Sequence, residues 1–303
     1  MRVAGIDCGT NSIRLLIADV AHGRLADVVR EMRIVRLGQG VDRTGRLAPE
    51  ALERTRAALH DYAALIRAHG AERVRMVATS ATRDAANRDD FVAMVQAVLH
   101  VAPEVITGHE EAALSFTGAA SVLPELRGPL LVADIGGGST ELVRGIAGGR
   151  LQSYSMDVGC VRMTERHLHD DPPTAAQVAA TVADLRAAIE VAGRSVPLDA
   201  DVTFIGVAGT VTTIAAIALE LERYDPARIH GARISAAQVD EVTDRLLAMT
   251  HEQRAALPVM HAGRVDVIGG GALVLRTLMA EVGAAEVIAS EHDILDGIAL
   301  SLA

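Results

Sequence analysis

Short apolar runs along the chain alternate with longer segments in which apolar residues recur every three or four positions. The short runs predict strands and the longer segments predict helices, which together indicate an α/β protein. Two polar segments, 38–45 and 80–83, are expected as loops. We expect strands at 3–6, 13–20, 28–35, 74–79, 105–107, 130–133, 140–146, 151–158, 202–206, 265–268 and 287–289. Helices are expected at 49–69, 84–99, 109–120, from 161, at 175–192, after Gly209, and at 243–256, 269–283 and 291–302.

The pattern of the first half restarts after a turn-like segment at 123–129. The segments Asp7-Cys-Gly-Thr-Asn-Ser12 and Asp134-Ile-Gly-Gly-Gly-Ser139 share the spacing D-x-G-x-x-S, and each stands between two predicted strands. One glycine turn between strands is common, but two in matching context indicate a duplicated α/β domain. We therefore expect an N-terminal domain over 1–120 and a C-terminal domain over 121–303, whose final helix at 291–303 can pack back on the first.

Composition narrows the classes of function. A chain of 303 residues with 50% hydrophobic side chains can form two domains with ordinary cores. The net charge of −10 makes nucleic acid a poor partner, so an anionic ligand requires a local basic site. The sequence contains no lysine, which excludes a P-loop lysine and any Schiff-base mechanism.

The cysteines and the apolar runs bear on the compartment. Two cysteines form neither a disulfide framework nor a four-cysteine zinc site, and the first residues lack the pattern of a signal peptide. Glycines and threonines interrupt the apolar run 202–219, which we expect to form a strand, a turn and a helix rather than a membrane span. A cytoplasmic protein without membrane contact is the expectation.

The glycine-rich turns have the composition of a phosphate-binding site. Their N–H groups can approach an oxyanion closely, and hydroxyl and amide side chains add donors. An aspartate before each turn would repel phosphate unless a Mg²⁺ ion lies between them, and Asp134 with Glu141 is the expected carboxylate pair for that ion. The alternative is that each aspartate caps its own turn. The candidates for phosphate binding here are Asp7, Gly9, Thr10, Asn11, Ser12, Gly136, Gly137, Gly138, Ser139 and Thr140.

Two further groups in the first half can act on a phosphate. Arg83 follows a strand expected in the same sheet as the first hairpin, and its guanidinium can bind a phosphate with two hydrogen bonds. The alternative is a surface ion pair with Asp84 or Glu110. Glu110 and Glu111 open a helix, so only one of them can face a cleft, where it can act as general base on a water. The alternative for both glutamates is stabilisation of the helix N-terminus.

Other motifs are less specific. Gly209 and Thr210, and the glycines at 269–271, open helices whose N–H groups can bind anions, or they serve only close packing. Neither segment matches a Rossmann or P-loop motif. The His167-x-His169 pair has metal-site spacing but is expected on the solvated surface. Cys8 and Cys160 are expected to be small buried residues rather than nucleophiles.

Taken together, the motifs resemble the exopolyphosphatase and guanosine pentaphosphate phosphohydrolase family. They are Asp7-x-Gly-x-Asn-Ser12, Ser80-x-Thr-Arg83, Gly108-x-Glu-Glu-Ala112, Asp134-Ile-Gly-Gly-Gly-Ser-Thr-Glu141, Gly159-Cys160 and Gly209-Thr210, in family order from residue 2 to the final helix. The resemblance implies two duplicated actin-like, ribonuclease H-like domains with the site in the cleft between them. It also implies that Glu111 is the general base, that Asp134 and Glu141 hold Mg²⁺ or another divalent cation, and that Arg83, Asn11 and the glycine turns hold the phosphates.

The expected activity is Mg²⁺-dependent hydrolysis of the terminal phosphate of inorganic polyphosphate. A guanosine pentaphosphate 5′-phosphohydrolase is the alternative with the same chemistry. A sugar or acid kinase, or an ATP-binding protein of the same superfold, is the alternative from another class. Many members of that family carry a further C-terminal helical domain, so the sequence corresponds to their short two-domain form, with a homodimer as a candidate assembly.

Overall fold

Strands and helices alternate in a computed structural model, which describes residues 1–121, 126, 128–146 and 148–303. The strands are β1 (Arg2–Cys8), β2 (Ser12–Ala21), β3 (Arg24–Ile34), β4 (Arg73–Ala78), β5 (Glu104–Val105), β6 (Leu130–Ile135), β7 (Thr140–Gly145), β8 (Gln152–Met156), β9 (Thr203–Val207), β10 (Arg233–Ser235) and β11 (Glu286–Ala289). The helices are α1 (Val41–Thr44), α2 (Pro49–His69), α3 (Ser80–Asp84), α4 (Arg88–Leu99), α5 (Gly108–Ser121), α6 (Cys160–His167), α7 (Ala175–Gly193), α8 (Ala208–Ala218), α9 (Pro226–Ile229), α10 (Ala236–Ala248), α11 (His251–Ala255), α12 (Ile268–Val282) and α13 (Ile294–Leu300). A short 3-10 helix covers Ala262–Arg264. Most of the predicted turn at 123–129 lies outside the described residues.

The chain divides into two compact units. The first unit comprises residues 1–121 and 293–303, and the second comprises the described residues from 126 to 292. In the first unit the sheet order is β3-β2-β1-β4-β5, with β2 antiparallel to both neighbours and β4 and β5 continuing parallel to β1. Side chains alternate across β1, so Ala4 and Ile6 join the core beneath α2 and α4, while Val3 packs with α13.

The second unit repeats this topology. Its sheet order is β10-β11-β9-β6-β7-β8, in which β7 is antiparallel to both neighbours and β9 and β11 run parallel to β6. Strands β8, β7, β6, β9 and β11 therefore correspond, in that order, to β3, β2, β1, β4 and β5 of the first unit. Strand β10 is an added edge strand. The duplicated α/β fold that the repeated motif predicts is confirmed.

The last helix belongs to the first unit, the packing that the sequence allowed for residues 291–303. Helices α5 and α13 approach so closely that a Cβ atom on Gly118 would lie 1.8 Å from the carbonyl oxygen of Asp293. A Cβ atom on Gly297 would lie 2.1 Å from the carbonyl oxygen of Leu114. Glycine at both positions is what permits this contact, and it places Asp293 beside the first hairpin.

Four predicted elements are wrong. The single helix expected at 243–256 is two helices, α10 and α11, which are separated where Met249 is extended. Segment 80–83 is not a loop but the start of α3, and α4 begins only at Arg88 because Ala85 is extended. Segment 38–45 contains α1, bounded by Gly40 and Gly45, both at positive φ. Residues 265–268 form no strand: Val265 is buried in the turn between the 3-10 helix and α12, and Ile268 is the first residue of α12.

The apolar run 202–219 forms strand β9 followed by helix α8, as expected. Within the part of the chain that the structure describes, we find no helix with the length and apolar character needed to cross a membrane.

Candidate active site

The turn of the first hairpin is held by the segment that follows β3. The N–H of Gly9 donates to the carbonyl of Ser12 at 2.9 Å, and the carbonyl of Thr10 accepts from the N–H of Gly38 at 2.8 Å. A Cβ atom on Gly38 would lie 2.3 Å from Cγ2 of Thr10, so glycine is required for this approach. The buried hydroxyls of Thr10 and Ser80 lie 2.9 Å apart. The predicted phosphate-binding turn is therefore linked directly to α3, which carries Arg83.

Asp7 at the start of this turn is buried and binds an arginine. Asp7 and Arg14 are paired across β1 and β2, and Arg14 donates from Nε at 3.0 Å and from Nη2 at 2.7 Å to the same oxygen, Oδ2 of Asp7. Oδ1 of Asp7 has no hydrogen-bond partner among the described residues, so Asp7 does not cap its own turn. Burial raises the pKa of Asp7, and the charge of Arg14 opposes that rise.

The second hairpin carries two carboxylates where the first carries an ion pair. Asp134 and Glu141 face each other across the antiparallel strands β6 and β7, and both are buried. Directly opposed residues project from the same face of a sheet, so the carboxylates lie side by side. The hydroxyl of Ser155 donates to Oε1 of Glu141 at 2.6 Å. The predicted pair is thus brought together by the strand register.

The glycine turn of the second hairpin is held through its carbonyl groups. The carbonyl of Gly136 accepts from Cys160 N–H at 2.9 Å, and that of Gly137 accepts from Val161 N–H at 2.9 Å. Nε of Arg162 donates to the carbonyl of Gly138 at 2.7 Å. Among the described residues, no hydrogen bond uses the N–H groups of Gly137 and Gly138. The start of α6 therefore fixes the turn while leaving these two donors available to an anion.

Arg83 and Glu111, predicted to bind phosphate and to act as base, form an ion pair. Nη1 of Arg83 donates to Oε2 of Glu111 at 3.0 Å and to the carbonyl of Ile106 at 3.0 Å. The Glu111 side chain is 9% exposed and that of Arg83 is 24% exposed, so this is not the surface ion pair considered for Arg83. Their roles in catalysis remain predictions, but the two groups are in contact.

The neighbouring glutamate points elsewhere. Glu110 binds Nη2 of Arg75 at 2.8 Å, and the same arginine binds Glu104. The side chain of Glu110 is 45% exposed. Successive residues on a helix diverge by about 100°, which separates Glu110 from Glu111 as expected.

The other predicted glycine segments bring helix starts together within the second unit. A Cβ atom on Gly271 would lie 2.5 Å from Oγ1 of Thr210 and 3.1 Å from Cβ of Cys160, so the first turns of α6, α8 and α12 meet there. A Cβ atom on Gly206 would lie 2.8 Å from Cγ1 of Val211. Close packing therefore accounts for these glycines, and an additional role of Gly209 and Thr210 in binding phosphate stays a prediction.

The two cysteines are buried, whereas His167 is half-buried and His169 is exposed. Burial raises the pKa of the Cys160 thiol to about 11 and that of the Cys8 thiol well above its ordinary value, so both thiols are protonated at neutral pH. Nε2 of His167 lies 2.9 Å from Oδ2 of Asp184, while His169 is exposed. Across the described residues, no group of three His, Cys, Asp or Glu side chains is placed to hold a metal ion.

Sequence reasoning missed three charged residues near these segments. Arg162 contacts the second turn, and its position two residues after Cys160 of the family motif was the available signal. Arg264 donates to Oγ1 of Thr213 at 2.9 Å. Its guanidinium also packs against Gly209, where an added Cβ atom would lie only 2.4 Å from Nη2. Asp293 binds Arg14, and no pattern in the sequence connects it to the first hairpin.

The residues of the second hairpin fit a magnesium ion. Magnesium prefers oxygen ligands and usually binds one or two protein carboxylates together with waters and substrate phosphates, rather than a cage of protein ligands. Asp134 and Glu141 supply two buried carboxylates on one face, and such a like-charged pair favours a cation between them.

Comparison with known proteins agrees with the motifs. The profile of the Ppx/GppA phosphatase family matches residues 16–303. The chain is 57% identical over 315 positions to Exopolyphosphatase 2 of Mycobacterium tuberculosis, covering 100% of this chain and 98% of the relative. It is 30% identical over 272 positions to the guanosine-5'-triphosphate,3'-diphosphate pyrophosphatase of Aeromonas salmonicida, covering 90% of this chain and 53% of that protein. The crystal structure of an exopolyphosphatase-like protein superposes with a TM-score of 0.96 at 46% identity, covering 99% of this chain and 97% of the other. These findings confirm the resemblance, and the chain is an enzyme of the Ppx/GppA phosphatase family.

Proposed function

We propose that the protein is an exopolyphosphatase, which hydrolyses the terminal phosphoanhydride bond of inorganic polyphosphate. The observation that carries this proposal is the second hairpin, where two facing buried carboxylates stand beside a glycine turn with two available N–H donors. That combination suits a metal-bound phosphate. The relative named Exopolyphosphatase 2, at 57% identity over the full length, supports polyphosphate as the substrate.

Asp134 and Glu141 would hold the divalent cation, which we propose to be Mg²⁺. When bound, the ion neutralises charge on the phosphate oxygens and draws electrons from phosphorus. The carboxylate oxygen of Glu141 that accepts from Ser155 is oriented by that hydrogen bond, as ligands of metal sites commonly are.

The remaining chemistry belongs to side chains and backbone. The N–H groups of Gly137 and Gly138 and the guanidinium of Arg83 bind phosphate oxygens. Glu111 accepts a proton from water as the water oxygen attacks the terminal phosphorus. The bridging P–O bond breaks, and its electron pair stays on the shortened polyphosphate. A general base of this kind contributes about 100- to 10,000-fold to the rate.

The ion pair of Arg83 with Glu111 links binding to catalysis in this proposal. Nη1 of Arg83 serves both Glu111 and the carbonyl of Ile106. A phosphate that binds this guanidinium competes with the carboxylate for it, so substrate binding weakens the hold of Arg83 on the base. An unpaired carboxylate is a better proton acceptor than one in an ion pair.

A guanosine pentaphosphate phosphohydrolase is the second candidate. The relative from Aeromonas salmonicida, at 30% identity, is named for a guanosine polyphosphate substrate. Hydrolysis of the terminal phosphate of that nucleotide uses the same groups.

The deciding experiment measures phosphate release side by side on polyphosphates of several lengths, guanosine pentaphosphate and ATP, with and without Mg²⁺. We expect the highest kcat/KM on polyphosphate and loss of activity when Mg²⁺ is chelated. A higher kcat/KM on the nucleotide would select the second candidate. Turnover of ATP alone would contradict both and favour a kinase or an ATP-driven protein.

A further inference from the structure

The carboxylate of Asp293 enters the first hairpin from the opposite end of the sequence. It lies 279 residues from Arg14 along the chain, yet its Oδ2 accepts from Nη1 of Arg14 at 2.5 Å. Its other oxygen, Oδ1, accepts from the N–H of Leu295 at 3.0 Å and caps α13. Because α13 is held by the glycine contact with α5, Asp293 presents a fixed oxygen to Arg14.

Arg14 divides its three side-chain nitrogens unequally between two carboxylates. An arginine that binds one carboxylate usually donates to both oxygens. Here Nε and Nη2 both donate to Oδ2 of Asp7, while Nη1 is taken by Asp293. Oδ1 of Asp7 is left without a hydrogen bond, although the side chain is buried. A buried carboxylate oxygen without a partner is costly unless a ligand supplies one.

The net charge of the cluster formed by Asp7, Arg14 and Asp293 also favours a bound cation. Asp7 and Arg14 alone would neutralise each other, whereas Asp7, Arg14 and Asp293 together carry one net negative charge when both carboxylates are ionised. A cation that accompanies a phosphate is attracted by that charge, and it would find no net charge at the pair alone.

We propose that Asp293 is a positioning residue, which shares Arg14 with Asp7 and thereby keeps Oδ1 of Asp7 free to bind a divalent cation that accompanies polyphosphate. The inference rests on the proposed function for its ligand. It gives α13 a role at the first hairpin in addition to its packing against the core of the first unit.

The same helix offers a matched control. Asp296 is fully buried and binds Nη2 of Arg30 at 2.5 Å, while Arg30 also binds Asp27. This second buried pair joins α13 to β3. Oδ2 of Asp296 also accepts from the backbone N–H of Asp293 at 3.1 Å, and asparagine at position 296 keeps an oxygen acceptor for that N–H. Loss of this ion pair should affect stability in a similar way and leave cation binding alone.

The test uses the full-length variants Asp293→Asn, Asp293→Glu and Asp296→Asn. Asparagine keeps the helix cap and removes the charge, so Asp293→Asn should fold. We expect it to raise the Mg²⁺ concentration for half-maximal polyphosphate hydrolysis by about 10-fold, with kcat at saturating Mg²⁺ near that of the wild type. Asp293→Glu should restore much of the affinity, and Asp296→Asn should not change it.

A second measurement is independent of turnover. Binding of Mn²⁺ alone, followed by loss of the free-ion EPR signal, should weaken in Asp293→Asn and not in Asp296→Asn. Equal cation affinity in these two variants would overturn the proposal and leave Asp293 a helix cap. If the wild type fails to hydrolyse polyphosphate but Mn²⁺ binding still depends on Asp293, the proposed substrate is wrong and the positioning role stands.

Discussion

The β1–β2 hairpin and the β6–β7 hairpin have the same backbone design but opposite electrostatics. In each, an aspartate precedes a glycine turn and faces the residue seven positions later across the strands. That residue is Arg14 in the first unit and Glu141 in the second. The first pair is an ion pair that leaves Oδ1 of Asp7 without a hydrogen bond, whereas the second pair places two carboxylates side by side and favours a cation. The two hairpins share their backbone geometry, and the residue opposite the aspartate, Arg14 or Glu141, sets the charge of each pair.

The largest expected effect is at Glu111, the proposed general base in the first unit. Glu111→Gln should reduce kcat on polyphosphate by about 100- to 10,000-fold, because it removes the proton acceptor and keeps the shape. Binding of polyphosphate should stay within a few-fold of the wild type. Glu110→Gln is the matched control, since its side chain binds Arg75. An inactive Glu110 variant beside an active Glu111 variant would reverse the assignment.

Removing the partner in each hairpin should have opposite effects on folding. Arg14→Gln leaves Asp7 and Asp293 buried without their arginine and should lower the free energy of unfolding by about 3–5 kcal/mol. Glu141→Gln relieves repulsion with Asp134 and should leave stability unchanged or higher. Urea denaturation of both variants measures this. Equal losses of unfolding free energy in the two variants would show that both pairs stabilise the fold to the same extent.

The Mg²⁺ requirement should depend on the second hairpin. Asp134→Asn and Glu141→Gln should each raise the Mg²⁺ concentration for half-maximal activity, by about 10- to 100-fold if each carboxylate contributes as metal-site residues commonly do. The comparison is a Mg²⁺ titration of phosphate release. Reduced thermal stability at an unchanged Mg²⁺ requirement would support a purely structural role for this pair.

A smaller effect is expected at Arg83. Arg83→Lys keeps the charge but loses the planar guanidinium, so the half-saturating polyphosphate concentration should rise several-fold, and Arg83→Ala should raise it further. Arg186→Ala is the control, because its side chain is 63% exposed and binds Glu281 on the surface. Unaltered affinity and rate in Arg83→Ala would confine the arginine to holding Glu111.

The smallest effect is expected at the cysteines, one in each unit. Burial raises the pKa of Cys160 to about 11 and that of Cys8 well above its ordinary value, so little reactive thiolate forms near neutral pH. Iodoacetamide at pH 7.5 should therefore leave both thiols of the native protein unmodified over the time in which urea-unfolded protein reacts fully. Mass spectrometry of the intact chain follows the reaction. Rapid labelling of native Cys160 would show that the first turn of α6 opens.

Local signals predicted much of the fold. Helix α2 begins and ends where the sequence indicates, because Pro49 starts the first turn and Gly70 ends the helix in the left-handed conformation. The segment 265–268 was misleading, since its branched side chains favour a strand in isolation. Ile268 instead begins α12 and packs in the core of the second unit, and no short window of sequence contains that packing.

For the candidate site, the sequence alone determined what lies close along the chain: two glycine turns and the aspartates before them. The facing of Asp134 and Glu141 follows from the period of two in a hairpin, and the divergence of Glu110 and Glu111 follows from the helix. Tertiary structure alone decided which charged groups, distant along the chain, form ion pairs. Arg83 binds Glu111, and Asp293 reaches Arg14, because helices pack through contacts between residues far apart in sequence. Electrostatic interactions depend on distance in space, and a linear pattern does not contain that distance.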